Sequence, residues 1–155
     1  MKRLLVLTIT MLAIRLCGSA QTGLEINKLF GGKYSSDPTV TETIMSGDQR
    51  YLRSHHLSTF ATFKGSAQKY EDIVLPLVKA DGADATGRDV RYKNGKMSYA
   101  FFVLPPIEKD GRKLNRYLYY LLTSRAKNPS VMVIYFDGEI STTKAESLIR
   151  DLTNR

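Results

Sequence analysis

Residues 88–137 constrain the fold more than any other stretch, because they contain four successive runs of strand length. The first two runs, residues 90–93 and 96–104, are separated by Asn94-Gly95. This pair favours a two-residue type I′ turn, since both central residues of that turn need a positive φ. The stretch therefore predicts a β-hairpin that opens an antiparallel meander.

The third and fourth runs, residues 117–123 and 131–136, are rich in aromatic and β-branched side chains and end in turn residues. Alternate side chains of a strand point to opposite faces, so both faces of these runs are apolar. In the second run, residues 96–104, the same alternation places Met97 and Tyr99 on one face. An antiparallel sheet commonly leaves one face in water. We therefore expect the second face to be covered by the N-terminal segments, a second copy of the chain or a ligand.

A helical period follows Ser66, which we expect to be the N-cap. Pro76 lies inside this pattern, and because proline removes a backbone hydrogen bond and clashes with the preceding turn, we expect a kink or an early end there. Residues 81–84 then form a turn, since they lack the ladder of oxygen ligands of a calcium loop. The apolar stripe of this helix consists of Tyr70, Ile73, Val74, Leu77 and Val78.

The clearest helix signal lies near the C-terminus, where Thr143 and Glu146 have the spacing of a capping box. We expect this helix and the earlier one to pack on one face of an antiparallel sheet of four to six strands, which is an α+β fold. A short helix in residues 23–32 and a pair of strands in residues 39–45 and 57–63 precede them. The apolar stripe of the C-terminal helix consists of Ala145, Leu148, Ile149 and Leu152.

Residues 1–20 have the three parts of a secretory signal peptide. Lys2 and Arg3 form its positive start, residues 4–16 its apolar stretch, and a small-residue cleavage site precedes Gln21. The apolar stretch is too short to span the roughly 30 Å hydrocarbon core of a bilayer. We therefore predict export to the periplasm or the extracellular space, with cleavage before Gln21.

Attachment of lipid to Cys17 is the alternative to a free exported chain. Residues 21–155 contain no cysteine, so we expect a single α+β domain that packing rather than disulfide bonds holds together. Cleavage leaves 20 basic against 15 acidic residues and lowers the net charge from +8 to +5. A thiol nucleophile and a thiolate metal ligand are excluded, and nucleic acid is not an expected partner of an exported chain.

The chain shows no motif for catalysis, metal binding or cofactor binding. His55 and His56 are adjacent, and neighbouring side chains of a strand point in opposite directions, so the two do not chelate one ion without a turn. No serine has the G-x-S-x-G flanks of a nucleophile elbow. Asp137 and Glu139 flank Gly138, a pattern typical of a turn and only sometimes of an acid–base pair. We predict no catalytic residue, no metal and no cofactor.

Tyrosines and one basic loop are the best candidates for an interaction surface. Tyrosine buries area and keeps a hydroxyl for a partner, although strand propensity alone also explains tyrosines in such runs. The loop that begins at Lys109 carries the densest group of basic residues and suits an anionic partner such as a membrane surface or an acidic polymer. The candidate residues are Tyr99, Tyr117, Tyr119, Tyr120, Tyr135, Arg112, Lys113 and Arg116.

Three segments resemble a group of small exported bacterial proteins of uncharacterised function. They are residues 23–31 (GLEINKLFG), residues 115–120 (NRYLYY) and residues 133–138 (VIYFDG), behind a signal peptide. The resemblance covers most of the mature chain and implies an α+β domain in the periplasm or outside the cell. It implies no site residues.

Together these observations favour a non-catalytic exported binding or interaction module. One alternative is a self-associating structural or envelope protein in which another copy protects residues 131–136. The other is a periplasmic hydrolase. A hydrolase would have to build its site from Asp137, Glu139, His55 or His56, which no sequence pattern brings together.

Overall fold

A computed structural model of the protein describes residues 23–124 and 127–154. Within these residues, six strands form one antiparallel sheet in the order β1-β2-β6-β5-β4-β3. The strands are β1 (Thr41–Ser46), β2 (Leu57–Ser66), β3 (Gly87–Lys93), β4 (Lys96–Lys109), β5 (Arg112–Thr123) and β6 (Ser130–Gly138). The helices are a 3₁₀-helix (Glu25–Leu29), α1 (Arg50–Ser54), α2 (Ala67–Gly82) and α3 (Thr142–Thr153).

The predicted α+β class, with an antiparallel sheet of four to six strands, is confirmed. The predicted signal peptide, the cleavage site before Gln21 and the alternative lipid site at Cys17 lie outside the described residues. Export and cleavage therefore stay predictions.

The strands β3 to β6 form the predicted meander. Asn94 and Gly95 have φ angles of 52° and 76° and join β3 directly to β4. Asp110 and Gly111, with φ angles of 53° and 73°, join β4 to β5 in the same way, where the sequence suggested a longer loop. The pairing of β5 with β6 begins only at Asn115, so the tip of the β4–β5 hairpin projects beyond β6.

One face of the sheet is covered by α2 and the N-terminal segment. The carboxylate of Asp81, near the end of α2, accepts hydrogen bonds from the backbone N–H groups of Glu25 at 2.7 Å and Ile26 at 2.9 Å. These bonds hold the 3₁₀-helix beside α2. Burial is the main influence on the pKa of the Asp81 carboxyl and raises it. The buried residues on this face include Ile26, Leu29, Val74, Val78, Leu118, Tyr120, Val133 and Tyr135.

The opposite face is covered by α3 and α1. Its buried residues include Leu52, Phe60, Tyr117, Phe136, Ala145, Leu148 and Ile149. The prediction that both amphipathic helices share one face was therefore wrong. The physical reason is that β5 and β6 are apolar on both sides, so each face of the sheet needs its own cover.

An extra residue in β4 changes the predicted alternation. Arg91 pairs with Tyr99 and Tyr92 pairs with Met97, so Ser98 has no paired residue in the β3 register, although its hydroxyl donates to the Arg91 carbonyl at 3.3 Å. Such a β-bulge moves the side chains beyond it to the other face. Met97 consequently joins the core under α2, whereas Tyr99 packs on the α3 side.

The helix ends also differ from their predicted positions. Ser141 is the N-cap of α3, because its hydroxyl accepts a hydrogen bond from the Lys144 N–H at 3.3 Å, whereas Thr143 lies inside the helix. The helix α2 continues past Pro76 to Gly82. The proline leaves the carbonyl of Asp72 without a backbone donor, and because Asp72 is exposed, water can bond that carbonyl.

Candidate binding cleft

A cleft of about 450 Å³ lies at the end of the sheet where β2 begins and β6 ends. Three separate parts of the chain form it: the region from the end of β1 to the start of β2, the β4–β5 hairpin and the end of β6. We call it the sheet-end cleft. Its ionisable lining residues are Asp48, Arg53, His56, Lys109, Asp110, Arg112 and Glu139.

The corner between β2 and β6 depends on glycine at position 138. A Cβ atom added to Gly138 would lie 2.2 Å from the carbonyl oxygen of His56, far inside van der Waals contact. His56 itself has a left-handed φ of 57°, and the β2–β6 register shifts between Leu57 and Thr59. This irregular start of β2 places His56 beside the end of β6, where Glu139 follows.

The β4–β5 hairpin brings two cations to the opposite side of the cleft. Lys109 and Arg112 are paired directly across the hairpin on either side of the two-residue turn. Like charges at facing strand positions are unfavourable, and an anion beside them relieves the repulsion. The lining balances these cations and Arg53 with the carboxylates of Asp48, Asp110 and Glu139, so an anionic ligand would bind by displacing those carboxylates.

The ion pairs around the cleft are weak. Arg53 Nη1 lies 2.6 Å from Asp48 Oδ1, and Arg112 Nη1 lies 3.6 Å from Glu139 Oε1. All four side chains are more than half exposed, so each pair contributes only about 0–1 kcal/mol. The described residues give Lys109 no ion-pair partner. These cations are therefore available to a ligand at little cost.

A buried carboxyl group lies directly behind the cleft. Asp137 precedes Gly138 in β6, is only 1% exposed and accepts a hydrogen bond from the Tyr135 hydroxyl at 2.7 Å. Burial is the largest influence on its pKa and raises it, although the Tyr135 hydroxyl and the charge of Lys109 oppose the shift. Asp137 Oδ1 and the hydroxyl of Thr59, its cross-strand neighbour, have no hydrogen-bond partner among the described residues.

We expect Asp137→Asn to remove a pH dependence from the stability of the protein. A folded-state pKa above the ordinary 3.8 means that the folded protein holds this proton more tightly than the unfolded chain. The contribution of Asp137 to stability is then greatest below pH 3.8 and is lost as the pH rises through the raised pKa. Asparagine has no such proton and keeps an oxygen for Tyr135. Urea unfolding from acidic to neutral pH should show the variant gaining stability relative to the wild type; a constant difference would contradict the raised pKa.

Four of the five tyrosines proposed for an interaction surface are interior residues. Tyr117, Tyr119, Tyr120 and Tyr135 are at most 2% exposed, so they belong to the two cores rather than to a surface. Their hydroxyls were the reason for expecting a partner, yet that of Tyr117 donates to the Ile140 carbonyl at 2.8 Å inside the protein. The surface expected from the sequence is corrected accordingly.

Tyr99 is half-buried and lines a second cavity, of about 400 Å³, between α3 and the β3–β4 hairpin. Its ring meets that of Tyr119 edge to face, with the centroids 5.5 Å apart. The guanidinium of Arg91 lies 4.5 Å from the centroid of the Tyr99 ring and also pairs with Asp89 at 3.1 Å. The protein's own cation therefore occupies the aromatic face that a ligand would use.

The basic residues proposed for the same surface are separated by the fold. Arg112 lines the sheet-end cleft, whereas Lys113 is exposed but does not line it. Arg116 Nε donates a hydrogen bond to the Pro105 carbonyl at 2.7 Å and so braces the irregular part of β4. Arg53 joins Arg112 in the cleft, although no sequence signal distinguishes it from other surface arginines.

The two histidines face different surroundings. The ring of His55 packs against that of Tyr51, with centroids 4.6 Å apart, while His56 lines the cleft. Within residues 23–124 and 127–154, no group of three His, Cys, Asp or Glu side chains is placed to hold a metal ion. No helix in this part of the chain is long and apolar enough to cross a membrane.

The resemblance seen in the sequence was to proteins of uncharacterised function. Comparisons with curated proteins and with solved structures give no match. One family model matches residues 13–149, which is most of the chain. The chain therefore belongs to DUF6108, a family of unknown function.

Proposed function

We propose that this protein is an exported, non-catalytic binding module whose sheet-end cleft takes a carboxylate or phosphate group of an acidic polymer. The observation that carries the proposal is the convergence of Arg53, Lys109 and Arg112 on one concave site from parts of the chain that are distant in sequence. Lys109 and Arg112 face each other across the hairpin, and Glu139, the carboxylate paired with Arg112 at 3.6 Å, is exposed and displaceable, so an anionic group of a ligand could contact both cations.

The cations of the cleft are suited to such a group. A guanidinium presents a planar fork of N–H donors that matches a carboxylate or phosphate, and an ammonium adds three further donors. Arg53 and Arg112 have exposed carboxylate partners that a ligand can displace, because exposed pairs are worth little. Lys109 has no such partner to lose among the described residues.

The shape of the cleft favours a polymer segment over a membrane surface. The three cations line a recess of about 450 Å³, together with three carboxylates, rather than a flat patch. A flat layer of lipid headgroups reaches only the rim of a recess, whereas a side group of a flexible polymer can enter it. The exposed rim pair Arg53–Asp48 would then exchange its internal contact for one to the ligand.

Binding is favoured over hydrolysis by the contacts inside the cleft. Ser58 and His56 both line it, which is the pair a serine hydrolase would need. In the described residues no hydrogen bond links the two side chains, and none joins the imidazole to an orienting carboxylate. The cleft therefore contains donors for an anion without the relay of nucleophile, base and orienting group.

We expect Arg112→Ala to weaken binding of polyglutamate about tenfold or more, because it removes a charge-assisted contact from the cleft. Isothermal titration calorimetry of the wild type and the variant measures the change, with inorganic phosphate as a second probe. Lys113→Ala is the matched control, since it removes the same charge from the next residue of the same strand but outside the cleft. It should change the affinity less than threefold.

Three results would contradict the proposal. Equal losses in Arg112→Ala and Lys113→Ala would mean that net charge alone attracts the polymer. Stronger binding to anionic phospholipid vesicles than to polyglutamate, abolished by either change, would favour a membrane surface. Hydrolysis of an ester or peptide substrate that disappears in His56→Ala would instead show an enzyme.

A further inference from the structure

The two edges of the sheet differ in how they are protected against pairing with another strand. At one edge, β3 carries charged residues at four of its seven positions, and its register with β4 shifts between Arg91 and Tyr92. Charged side chains along an edge strand hinder the addition of a further strand, and the bulge in the neighbouring β4 makes this edge irregular. The edge formed by β3 is therefore blocked.

The edge formed by β1 lacks this protection. Its sequence, TETIMS, contains one charged residue and no proline, and its register with β2 runs from Thr41 to Ser46 without a shift. The one charge belongs to Glu42, whose carboxylate accepts hydrogen bonds from the N–H groups of Gly31 and Gly32 at 2.9 and 3.3 Å. At the middle of the strand, Ile44 is 47% exposed. A regular, nearly uncharged edge with an exposed apolar side chain is open to strand addition.

We propose that β1 pairs antiparallel with β1 of a second copy of the protein, around a two-fold axis beside Ile44. Two six-stranded sheets then become one continuous sheet. In this register Ile44 lies opposite Ile44 of the second copy, Thr43 opposite Met45 and Glu42 opposite Ser46. No like charges face each other, and the exposed isoleucine is buried against its own counterpart.

A second copy fits this edge better than an unrelated strand because the edge is complementary to itself. A two-fold axis beside Ile44 pairs each of the β1 residues from Glu42 to Ser46 with a β1 residue of the second copy that carries no like charge. The inner strand β6 cannot serve this purpose, since it lies between β2 and β5. The pairing involves only five β1 residues from each copy, Glu42 to Ser46, so the interface is small and we expect dissociation in roughly the micromolar range.

Sedimentation equilibrium over a range of concentrations tests the dimer. The wild type should show a reversible monomer–dimer equilibrium, and Ile44→Lys should raise the dissociation constant about tenfold or more by placing two ammonium groups at the axis. Tyr92→Lys is the matched control, because Tyr92 is the exposed large apolar residue of the β3 edge, at 64%. It should leave the equilibrium unchanged, and both variants should keep the melting temperature of the monomer.

Cysteine cross-linking tests the register. In a Cys17→Ser background, Ile44→Cys should form a disulfide-linked dimer at low concentration, because directly opposed residues of antiparallel strands have Cα atoms about 4.5–5.5 Å apart, within the range of a disulfide. Tyr92→Cys should remain uncrosslinked under the same conditions. A wild type that stays monomeric at submillimolar concentration would overturn the proposal. Cross-linking at position 92 as fast as at position 44 would overturn it as well.

Discussion

Gly138→Ala is expected to lower the free energy of unfolding by about 3 kcal/mol or more. The new Cβ would lie 2.2 Å from the His56 carbonyl oxygen and 2.7 Å from the Cα of Leu57. Both are backbone atoms held by the β2–β6 pairing, so no change of side-chain rotamer relieves the contact. The two strands must separate at this corner. Thermal unfolding followed by circular dichroism should show a fall in Tm of roughly 10 °C.

Gly111→Ala is the matched control for this change. Gly111 has a φ of +73°, but a Cβ there meets nothing within 4 Å. Its replacement should cost about 1 kcal/mol of backbone strain and no clash. If the Gly138 variant loses no more stability than the Gly111 variant, the close approach of β2 to β6 is not present in solution.

Ile149→Asp is expected to have a comparable or larger effect. Ile149 is 4% exposed and lies in the core between α3 and the sheet. Burial of such a side chain contributes about 1.5–3 kcal/mol, and an unpaired carboxylate in its place adds a desolvation cost of several kcal/mol. The sum is a large part of the 5–15 kcal/mol by which an ordinary domain is stable. Urea unfolding should show a midpoint far below that of the wild type, or no folded baseline.

Two further variants separate the effect of the added charge from the effect of the lost packing. Lys144→Asp introduces a carboxylate on the exposed side of α3, in its first turn, where a negative charge is favourable. It should leave stability within about 0.5 kcal/mol of the wild type. Ile149→Ala removes volume without adding charge and should cost about 2–4 kcal/mol. An Ile149→Asp protein as stable as the wild type would rule out the packing of α3 on the sheet.

The strands of the meander were predictable because their signals are local. Asn94-Gly95 specifies a turn through its own backbone preferences, and the apolar runs on either side have the period of a strand. The bulge at Ser98 was not predictable in this way, since an extra residue is visible only against the neighbouring strand. The strand period alone therefore placed Met97 on the wrong face of the sheet.

The tyrosines were misjudged because the partner of a hydroxyl is not visible in the strand that carries it. Tyr117 donates to the Ile140 carbonyl and Tyr135 to Asp137, and both acceptors are buried with them. A tyrosine with an internal acceptor behaves as a core residue. Strand sequences alone cannot distinguish this case from a tyrosine that awaits an external partner.

The sheet-end cleft could not be predicted for a different reason. The sequence shows His56, the basic hairpin and the Asp137-Gly138-Glu139 turn as separate features. They meet only because β2 lies against β6, and adjacency of strands so distant in the chain is not encoded in any local pattern. Arg53 lacks even a local signal, because its role arises from the position of α1 at the mouth of the cleft.

The position of β2 beside β6 also determines the order in which the chain can assemble. Contacts between distant segments cost more loop-closure entropy than hairpins do. The meander from β3 to β6 can therefore form before the paired strands β1 and β2 dock on it. Both cores contain side chains from β2 and from β6. A chain that emerges N-terminus first therefore cannot close either core until β6 has emerged, and β2 lacks one of its two neighbouring strands until synthesis is nearly complete.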